Sequence, residues 1–90
     1  MYVYIVRCRD GTLYTGVAAD PGARVRLHNE GKGAKYTRSR RPVKLIHIEE
    51  HGGRGRALRR EAEIKRWTRD EKIALVKRAV CKRDRVKQLS

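Results

Sequence analysis

Two short apolar runs at the start of the chain flank an Asp-Gly corner. Residues 2–6 and 13–17 are rich in β-branched and aromatic side chains, a composition typical of strands. The Asp10-Gly11 pair between them is a strong signal for a tight reversal of the chain. The pattern therefore predicts a β-hairpin at the N-terminus.

The length of the hairpin loop decides which way its tyrosines point. A two-residue turn at Asp10-Gly11 would send Tyr4 and Tyr14 to opposite faces of the sheet. A three-residue loop over 9–11, with Gly11 in the left-handed conformation, would pair Tyr4 with Gly16 and put both tyrosines on one face. We favour the three-residue loop, in which Gly16 leaves space beside Tyr4. Both tyrosines could also be ordinary core or rim residues.

A short helix is predicted to follow the hairpin. Asp20 is suited to the N-cap, Pro21 to the first helical position and Gly31 to the C-terminal stop. Arg24 and His28 lie four residues apart, so they share one face of this helix. They could face a phosphate together, or form a solvated pair beside the core.

The next segment, residues 31–44, is strongly basic and contains no acidic residue. Tyr36 lies among its cations. The combination is typical of a loop that follows a phosphate backbone and offers one stacking residue, although a merely solvated basic loop is the alternative. Six phosphate contacts would give a slope of log affinity against log salt of about −5 on duplex DNA. The predicted nucleic-acid-binding residues are Lys32, Lys35, Tyr36, Arg38, Arg40 and Arg41.

The second half of the chain predicts one strand and two helices. Residues 43–48 have the mixed apolar pattern of a strand that is central and covered on both faces. A helix is expected from about Arg56, and a capping box at residues 68–71 opens another, with Trp67 packing between the two helices. From Cys81 onward the sequence is polar and basic, which predicts a flexible tail.

One carboxylate of the first of these helices falls within its apolar stripe. The stripe contains Ala57, Leu58 and Ile64, and Glu61 lies among them by three- and four-residue spacing. A carboxylate in an apolar seam requires a partner. Glu61 is therefore expected either to pair with an arginine such as Arg24 or to bind a cation.

These elements predict an α+β fold, a small three-stranded antiparallel sheet packed with about three to four helices. We expect a single domain over residues 1–80 and a basic tail over 81–90. The formal net charge of +14 points to a polyanionic partner, nucleic acid before membrane. Cys8 and Cys81 are too far apart for a CxxC site, so reduced thiols are expected. No stretch is apolar for long enough to span a bilayer, and the N-terminus starts directly with a strand pattern, so a cytoplasmic protein is expected. His47 and His51 give only a weak indication of a metal site.

Five positions are the candidates for chemistry, namely Tyr4, Tyr14, Arg24, His28 and Glu61. With the surrounding stretches YVY, YTG and ALRRE, they resemble the GIY-YIG nuclease domain, the catalytic module of the excision-repair protein UvrC and of some homing and restriction endonucleases. The likeness is nearest to small stand-alone UvrC-like (YhbQ-like) members, which also carry a GKGAKYT loop. It covers residues 2–80, and Tyr2 stands where the motif has glycine.

The resemblance implies a metal-dependent endonuclease that hydrolyses phosphodiester bonds in DNA, with a structure-specific role in repair or recombination. It implies that Glu61 holds one Mg²⁺ or Mn²⁺ and that Arg24 stabilises the charge on the phosphate. Tyr4 would act as general base or position the water, while Tyr14 and His28 orient water and phosphate. The polar residue that often completes the site could be Thr37. The alternative is a non-catalytic nucleic-acid-binding module on the same scaffold, and RNA remains open as a partner.

Overall fold

Three antiparallel strands form one sheet in the order β2-β1-β3, flanked by four helices, in the computed structural model. It describes residues 1–89, with side chains described as far as residue 79. The elements are β1 (Tyr2–Arg7), β2 (Leu13–Ala18), α1 (Pro21–Asn29), α2 (Lys35–Arg38), β3 (Lys44–Glu50), α3 (Arg54–Lys65) and α4 (Arg69–Leu89). The predicted α+β class is confirmed. The tail predicted over 81–90 lies outside the described side chains.

The central strand is β1, so the prediction of a central third strand was wrong. Residues 3–6 of β1 are all buried, because neighbouring strands cover both edges and helices cover both faces. β3 pairs only with β1 and exposes Lys44, Ile48 and Glu50. Its mixed pattern therefore reflects an edge strand, interrupted by a bulge where the pairing with β1 shifts between Ile5 and Val6.

The hairpin has the predicted three-residue loop. The Cys8 N–H donates to the Thr12 carbonyl at 2.8 Å, and the Gly11 N–H donates to the Cys8 carbonyl at 2.9 Å. Gly11 has a φ of 85°, a conformation that glycine adopts at little cost. Tyr4 consequently pairs with Gly16, in the register that puts Tyr4 and Tyr14 on the same face.

Each face of the sheet carries its own core. One core contains Tyr4, Val6, Cys8, Ala18 and Val43, and α1 lies over this face. The other contains Val3, Ile5, Ala57 and Ile64, with Trp67 packed against it from the junction of α3 and α4. The small sheet is thus buried on both sides, and β1 contributes residues to both cores.

Side-chain caps set the helix starts where the sequence indicates them. The Asp20 carboxylate accepts from the Ala23 N–H at 3.1 Å, with Pro21 as the first residue of α1. The Thr68 N–H donates to Glu71 at 3.2 Å, and the Glu71 N–H donates back to the Thr68 hydroxyl at 3.3 Å, which is the predicted capping box. Within residues 1–89, no helix is long and apolar enough to cross a membrane.

A partly buried carboxylate joins β3 to α3 on the face that carries the second core. Glu49 accepts from Arg60 through two nitrogens, at 2.9 and 3.2 Å, and its two oxygens lie 3.0 and 3.1 Å from His47 and His51. Burial alone would raise the pKa of Glu49, but the hydrogen bonds from Arg60 and the two histidines lower it to about 2. This Glu49 cluster fixes α3 against the sheet edge.

We expect Glu49→Gln to lower the free energy of unfolding by about 3 kcal/mol at neutral pH, because it removes a charge that Arg60 requires. The folded-state pKa, about 2, lies below the ordinary 4.5, so this contribution is complete above pH 4.5 and is lost as pH falls toward 2. Urea unfolding across that range measures it. Glu50→Gln, at the exposed neighbouring position, is the control. Equal stability of the two variants at pH 7 would contradict the assignment.

Candidate active site

Five side chains from four elements line one open cavity of about 430 Å³. Tyr4 comes from β1, Tyr14 from β2, Arg24 and His28 from α1, and Glu61 from α3. The cavity opens at the β2 edge of the sheet, where α1 and α3 approach from opposite faces. All five residues singled out in the sequence are therefore together, although they span residues 4–61.

A chain of hydrogen bonds runs behind the cavity. The Tyr4 hydroxyl lies 2.9 Å from His28 Nε2, His28 Nδ1 lies 2.8 Å from the Thr37 hydroxyl, and that hydroxyl donates to the Ala34 carbonyl at 2.8 Å. Tyr4, His28 and Thr37 are each no more than 2% exposed. A missing hydrogen-bond partner at such buried side chains costs free energy, because little water reaches their polar atoms.

Two tautomers of the His28 ring are compatible with these contacts. In the first, the Thr37 hydroxyl proton goes to the Ala34 carbonyl, the Thr37 oxygen accepts from His28 Nδ1–H, and Nε2 accepts from the Tyr4 hydroxyl. In the second, Nδ1 accepts from the Ala34 N–H at 3.3 Å and Nε2–H donates to the Tyr4 oxygen, while the Ala34 carbonyl keeps the Thr37 N–H, at 3.0 Å, as its donor.

Two glycines allow the rings to lie this close. A Cβ on Gly16 would lie 2.5 Å from Tyr4 Cζ, and a Cβ on Gly33 would lie 2.7 Å from His28 Cγ and 2.8 Å from its Cα. Both approaches are far inside van der Waals contact. The space predicted at Gly16 is thus filled by Tyr4 itself, and Gly33 has the same function for His28.

Aromatic contacts hold Tyr14. Its ring centroid lies 5.4 Å from that of His28, edge to face, and 5.9 Å from that of Tyr36, nearly parallel. The Lys65 ammonium lies 5.6 Å from the Tyr14 centroid, within the range of a cation–π contact. These contacts hold Tyr14 at the cavity.

The electrostatics keep both phenols protonated and the imidazole neutral. Burial raises the pKa of Tyr4 to about 12, and it also raises the pKa of Tyr14, with the Glu61 carboxylate adding to both. Burial lowers the pKa of His28 below its usual 6.5, and the Arg24 charge lowers it further. At neutral pH, therefore, the bond between Tyr4 and His28 joins a neutral phenol to a neutral imidazole.

The family model of the GIY-YIG catalytic domain matches residues 1–74. This chain belongs to the GIY-YIG family of nuclease domains. A UPF0213 protein of Staphylococcus aureus (strain Mu3) is 55% identical over 76 residues, covering 84% of this chain and 93% of that protein.

Two solution NMR structures are similar to this GIY-YIG chain in sequence and in fold. The UPF0213 protein BH0048 from Bacillus halodurans is 43% identical, with a TM-score of 0.55 over 84% of this chain and 81% of its own. Protein EF2693 from E. faecalis is 41% identical, with a TM-score of 0.61 over 89% and 85% of the two chains. The fold inferred from the family resemblance is therefore shared with these proteins.

The family's glycine position holds Tyr2 in this chain. Tyr2 lies at the start of the central strand, paired with Ala18 on one side and Glu50 on the other. It does not line the cavity. The substitution therefore leaves the GIY-YIG site unchanged.

The carboxylate at the centre of the GIY-YIG site has a lysine as its partner. Glu61 lies 3.8 Å from Lys65, one helical turn further along α3. Among the described side chains, Arg24 forms no ion pair, although it lines the same cavity as Glu61. Sequence analysis missed Lys65, and the signal that could have found it is the four-residue spacing of Glu61 and Lys65 on one helix.

A divalent cation is compatible with this donor set. No group of three His, Cys, Asp or Glu side chains within the described residues could hold a metal, which argues against a site made by protein ligands alone. Mg²⁺ commonly binds through one or two carboxylates and completes its shell with water and substrate phosphate oxygens. Glu61, 20% exposed and facing the cavity, fits that arrangement.

The predicted basic segment contains α2, an element that the sequence did not indicate. Lys32 lines the cavity and lies 3.8 Å from Glu30. Lys35 and Arg38 are exposed on α2. Carboxylates outside the basic segment therefore supply part of the negative charge that the segment itself lacks. This weakens the inference that its cations need an anionic ligand.

Two arginines of the segment have structural partners. Arg40 pairs with Asp10 at 3.1 Å and covers the Tyr36 ring at 4.0 Å, whose other side stacks on Tyr14. Arg41 donates to the carbonyls of Arg38 and Asn29. Nucleic-acid binding by the six predicted residues stays a prediction, and Lys32, Lys35 and Arg38 are the more available cations.

We expect Gly16→Ala to displace Tyr4 and to destabilise the fold by about 1–3 kcal/mol, because the new methyl would overlap the Tyr4 ring. Urea unfolding gives the stability, and NMR of the Tyr4 ring gives its displacement. Gly55→Ala is the control, since a Cβ on Gly55 meets nothing within 4 Å. A Gly16→Ala protein with the stability and Tyr4 resonances of the parent would contradict the close contact.

Proposed function

We propose that the protein is a metal-dependent endonuclease that hydrolyses phosphodiester bonds in DNA. The observation that carries the proposal is the convergence of Tyr4, Tyr14, Arg24, His28 and Glu61 on one cavity. The net charge of +14 supports a polyanionic substrate. A structure-specific role in DNA repair or recombination is the finer part of the proposal and rests on the family resemblance.

Glu61 would hold one Mg²⁺ or Mn²⁺, which supplies Lewis-acid stabilisation of the phosphoryl oxygens when bound. Arg24 has a guanidinium that no described carboxylate pairs with, at the same cavity, and would bind the phosphate, neutralising the charge that builds up as the nucleophile adds. Lys32, at the rim of the cavity, would bind an adjacent phosphate of the strand.

The proton path would run from water through Tyr4 to His28. A phenol with a pKa near 12 is not ionised in advance, so Tyr4 does not act as a preformed base. Instead its oxygen accepts a proton from the attacking water while its own proton passes to His28 Nε2, 2.9 Å away. Water loses one proton, Tyr4 stays neutral and His28 becomes the imidazolium. Thr37 is the positioning residue that keeps Nε2 free to accept.

A non-catalytic nucleic-acid-binding module is the second candidate. The observation that favours it is the salt bridge from Lys65 to Glu61, which gives the carboxylate a partner without a metal. In that case Arg24 and Lys32 bind phosphate, and the hydrogen bonds of His28 maintain the fold. RNA in place of DNA is an outcome that the same assays would detect.

We expect Glu61→Gln and Arg24→Ala each to reduce cleavage by about 100-fold or more, since they remove the metal ligand and the charge on the phosphate. The substrates are nicked, branched and single-stranded DNA, with single-stranded RNA alongside, in Mg²⁺ or Mn²⁺. Glu63→Gln and Arg26→Ala, which change exposed residues of the same two helices, are matched controls.

Cleavage that survives in both site variants would come from a contaminating enzyme and would eliminate the catalytic proposal. Salt-sensitive binding without cleavage of any substrate by the parent protein would establish the binding module instead. Cleavage confined to RNA would replace the proposed substrate.

The proposed proton path requires that His28 be protonated at Nδ1. We expect Thr37→Val to remove the preference for that tautomer, because valine keeps the shape of threonine and removes the acceptor for Nδ1–H. The ¹⁵N shifts of the His28 ring should indicate protonated Nδ1 in the parent and a mixture in the variant, and cleavage should fall through kcat with KM unchanged. Thr37→Ser should restore both signals. Protonated Nε2 in the parent would contradict the proposed direction of proton transfer.

A further inference from the structure

A second cavity continues the candidate active site along α3. It measures about 390 Å³ and shares Val17, Arg24 and Glu61 with the first cavity. Beyond these shared residues it is lined by Met1, Ala18, Ala19, Arg54 and Leu58. The two cavities therefore form one groove, with Arg24 and Glu61 at the junction.

One face of α3 forms a wall of this groove. Arg54, Leu58, Glu61 and Lys65 follow one another at steps of four, three and four residues, which places them along a single helical stripe. Leu58 was predicted to face the core, but it is 43% exposed. The side chains of this helix that reach the core are Ala57 and Ile64. An exposed leucine thus lies one turn from the proposed metal ligand.

The second cavity is lined by apolar side chains in its middle and by a basic side chain at its end. Met1, Val17 and Leu58 supply the apolar surface, and Arg54 forms no ion pair or hydrogen bond through its side chain within the described residues. Arg54 lies about 10 Å from Glu61 along the helix axis, at 1.5 Å per residue. A ligand that extends from the first cavity would therefore present an apolar surface at Leu58 and a negative charge at Arg54.

We propose that the second cavity binds an unpaired nucleotide adjacent to the scissile phosphate. Its base would lie on Leu58 and Met1, and its outer phosphate would pair with Arg54. A nucleotide inside a duplex could not bind in this way, because the neighbouring bases stack on both faces of its base. This inference rests on the proposed function and narrows its substrate class to strands that are single or frayed beside the cleavage site.

The test is binding of fluorescein-labelled oligothymidylate in EDTA, where no metal-dependent cleavage occurs. We expect Leu58→Gln to weaken the affinity by about threefold or more, because the base loses its apolar contact. The affinity for a duplex of equal length should not change. Ile48→Thr is the matched control, since Ile48 is 44% exposed on β3 and lines neither cavity. Arg54→Gln should likewise weaken single-strand binding more than Arg56→Gln.

A second probe separates contact with the base from general electrostatics. Replacing the thymidines by abasic residues keeps the phosphates, so the parent protein should bind this probe more weakly and Leu58→Gln should cause no further loss. Equal losses of affinity for the single strand and the duplex in Leu58→Gln, or no loss for either, would overturn the subsite.

The outcomes also distinguish the subsite from the nuclease proposal. If single-strand binding depends on Leu58 and no substrate is cleaved in Mg²⁺ or Mn²⁺, the subsite stands and the nuclease proposal fails. If DNA is cleaved and single-strand binding does not depend on Leu58, the nuclease proposal stands and the subsite fails.

Discussion

The hydrogen bond between Tyr4 and His28 is the contact on which the candidate site depends. It joins the central strand to α1, and the bond from His28 to Thr37 extends the connection to α2. Because these side chains are almost fully buried, their polar atoms find most of their hydrogen-bond partners inside the protein. The short distances in turn require glycine beneath each ring, at positions 16 and 33. The same atoms thus maintain the fold and hold the proposed proton path in alignment.

The orientation of α3 is fixed from the opposite face of the sheet. Arg60 is held by Glu49 at 2.9 Å, and the next residue in the helix is Glu61, about 100° further round the axis. Holding Arg60 against the sheet therefore turns Glu61 toward the groove, with Leu58 along the same stripe. The Glu49 cluster contacts neither Tyr4 nor His28, yet it determines where the proposed metal ligand lies. The Glu49 cluster on one face of the sheet is therefore connected to the candidate active site on the other face through the orientation of α3 about its axis.

Local sequence signals predicted those features that local geometry determines. The loop over 9–11, the cap at Asp20 and the capping box at Thr68 each involve residues within a few positions, and all three formed as expected. The predicted strand order was wrong because pattern alone cannot distinguish an edge strand with a bulge from a covered one. The exposure of Leu58 and the role of Gly33 depend on which elements meet in space. Local patterns singled out the five site residues one by one, and the family resemblance joined them into one site, because it carries such long-range information.

The charges around Glu61 explain why the metal and the substrate would need each other. A cation placed alone at Glu61 would face Arg24 in the same cavity and would compete with Lys65, 3.8 Å away. A phosphate placed alone at Arg24 would face the Glu61 carboxylate. Bound together, the cation and the phosphate neutralise each other and satisfy both Glu61 and Arg24. The proposed metal and substrate would therefore bind cooperatively, with Lys65 as the counter-ion of Glu61 in their absence.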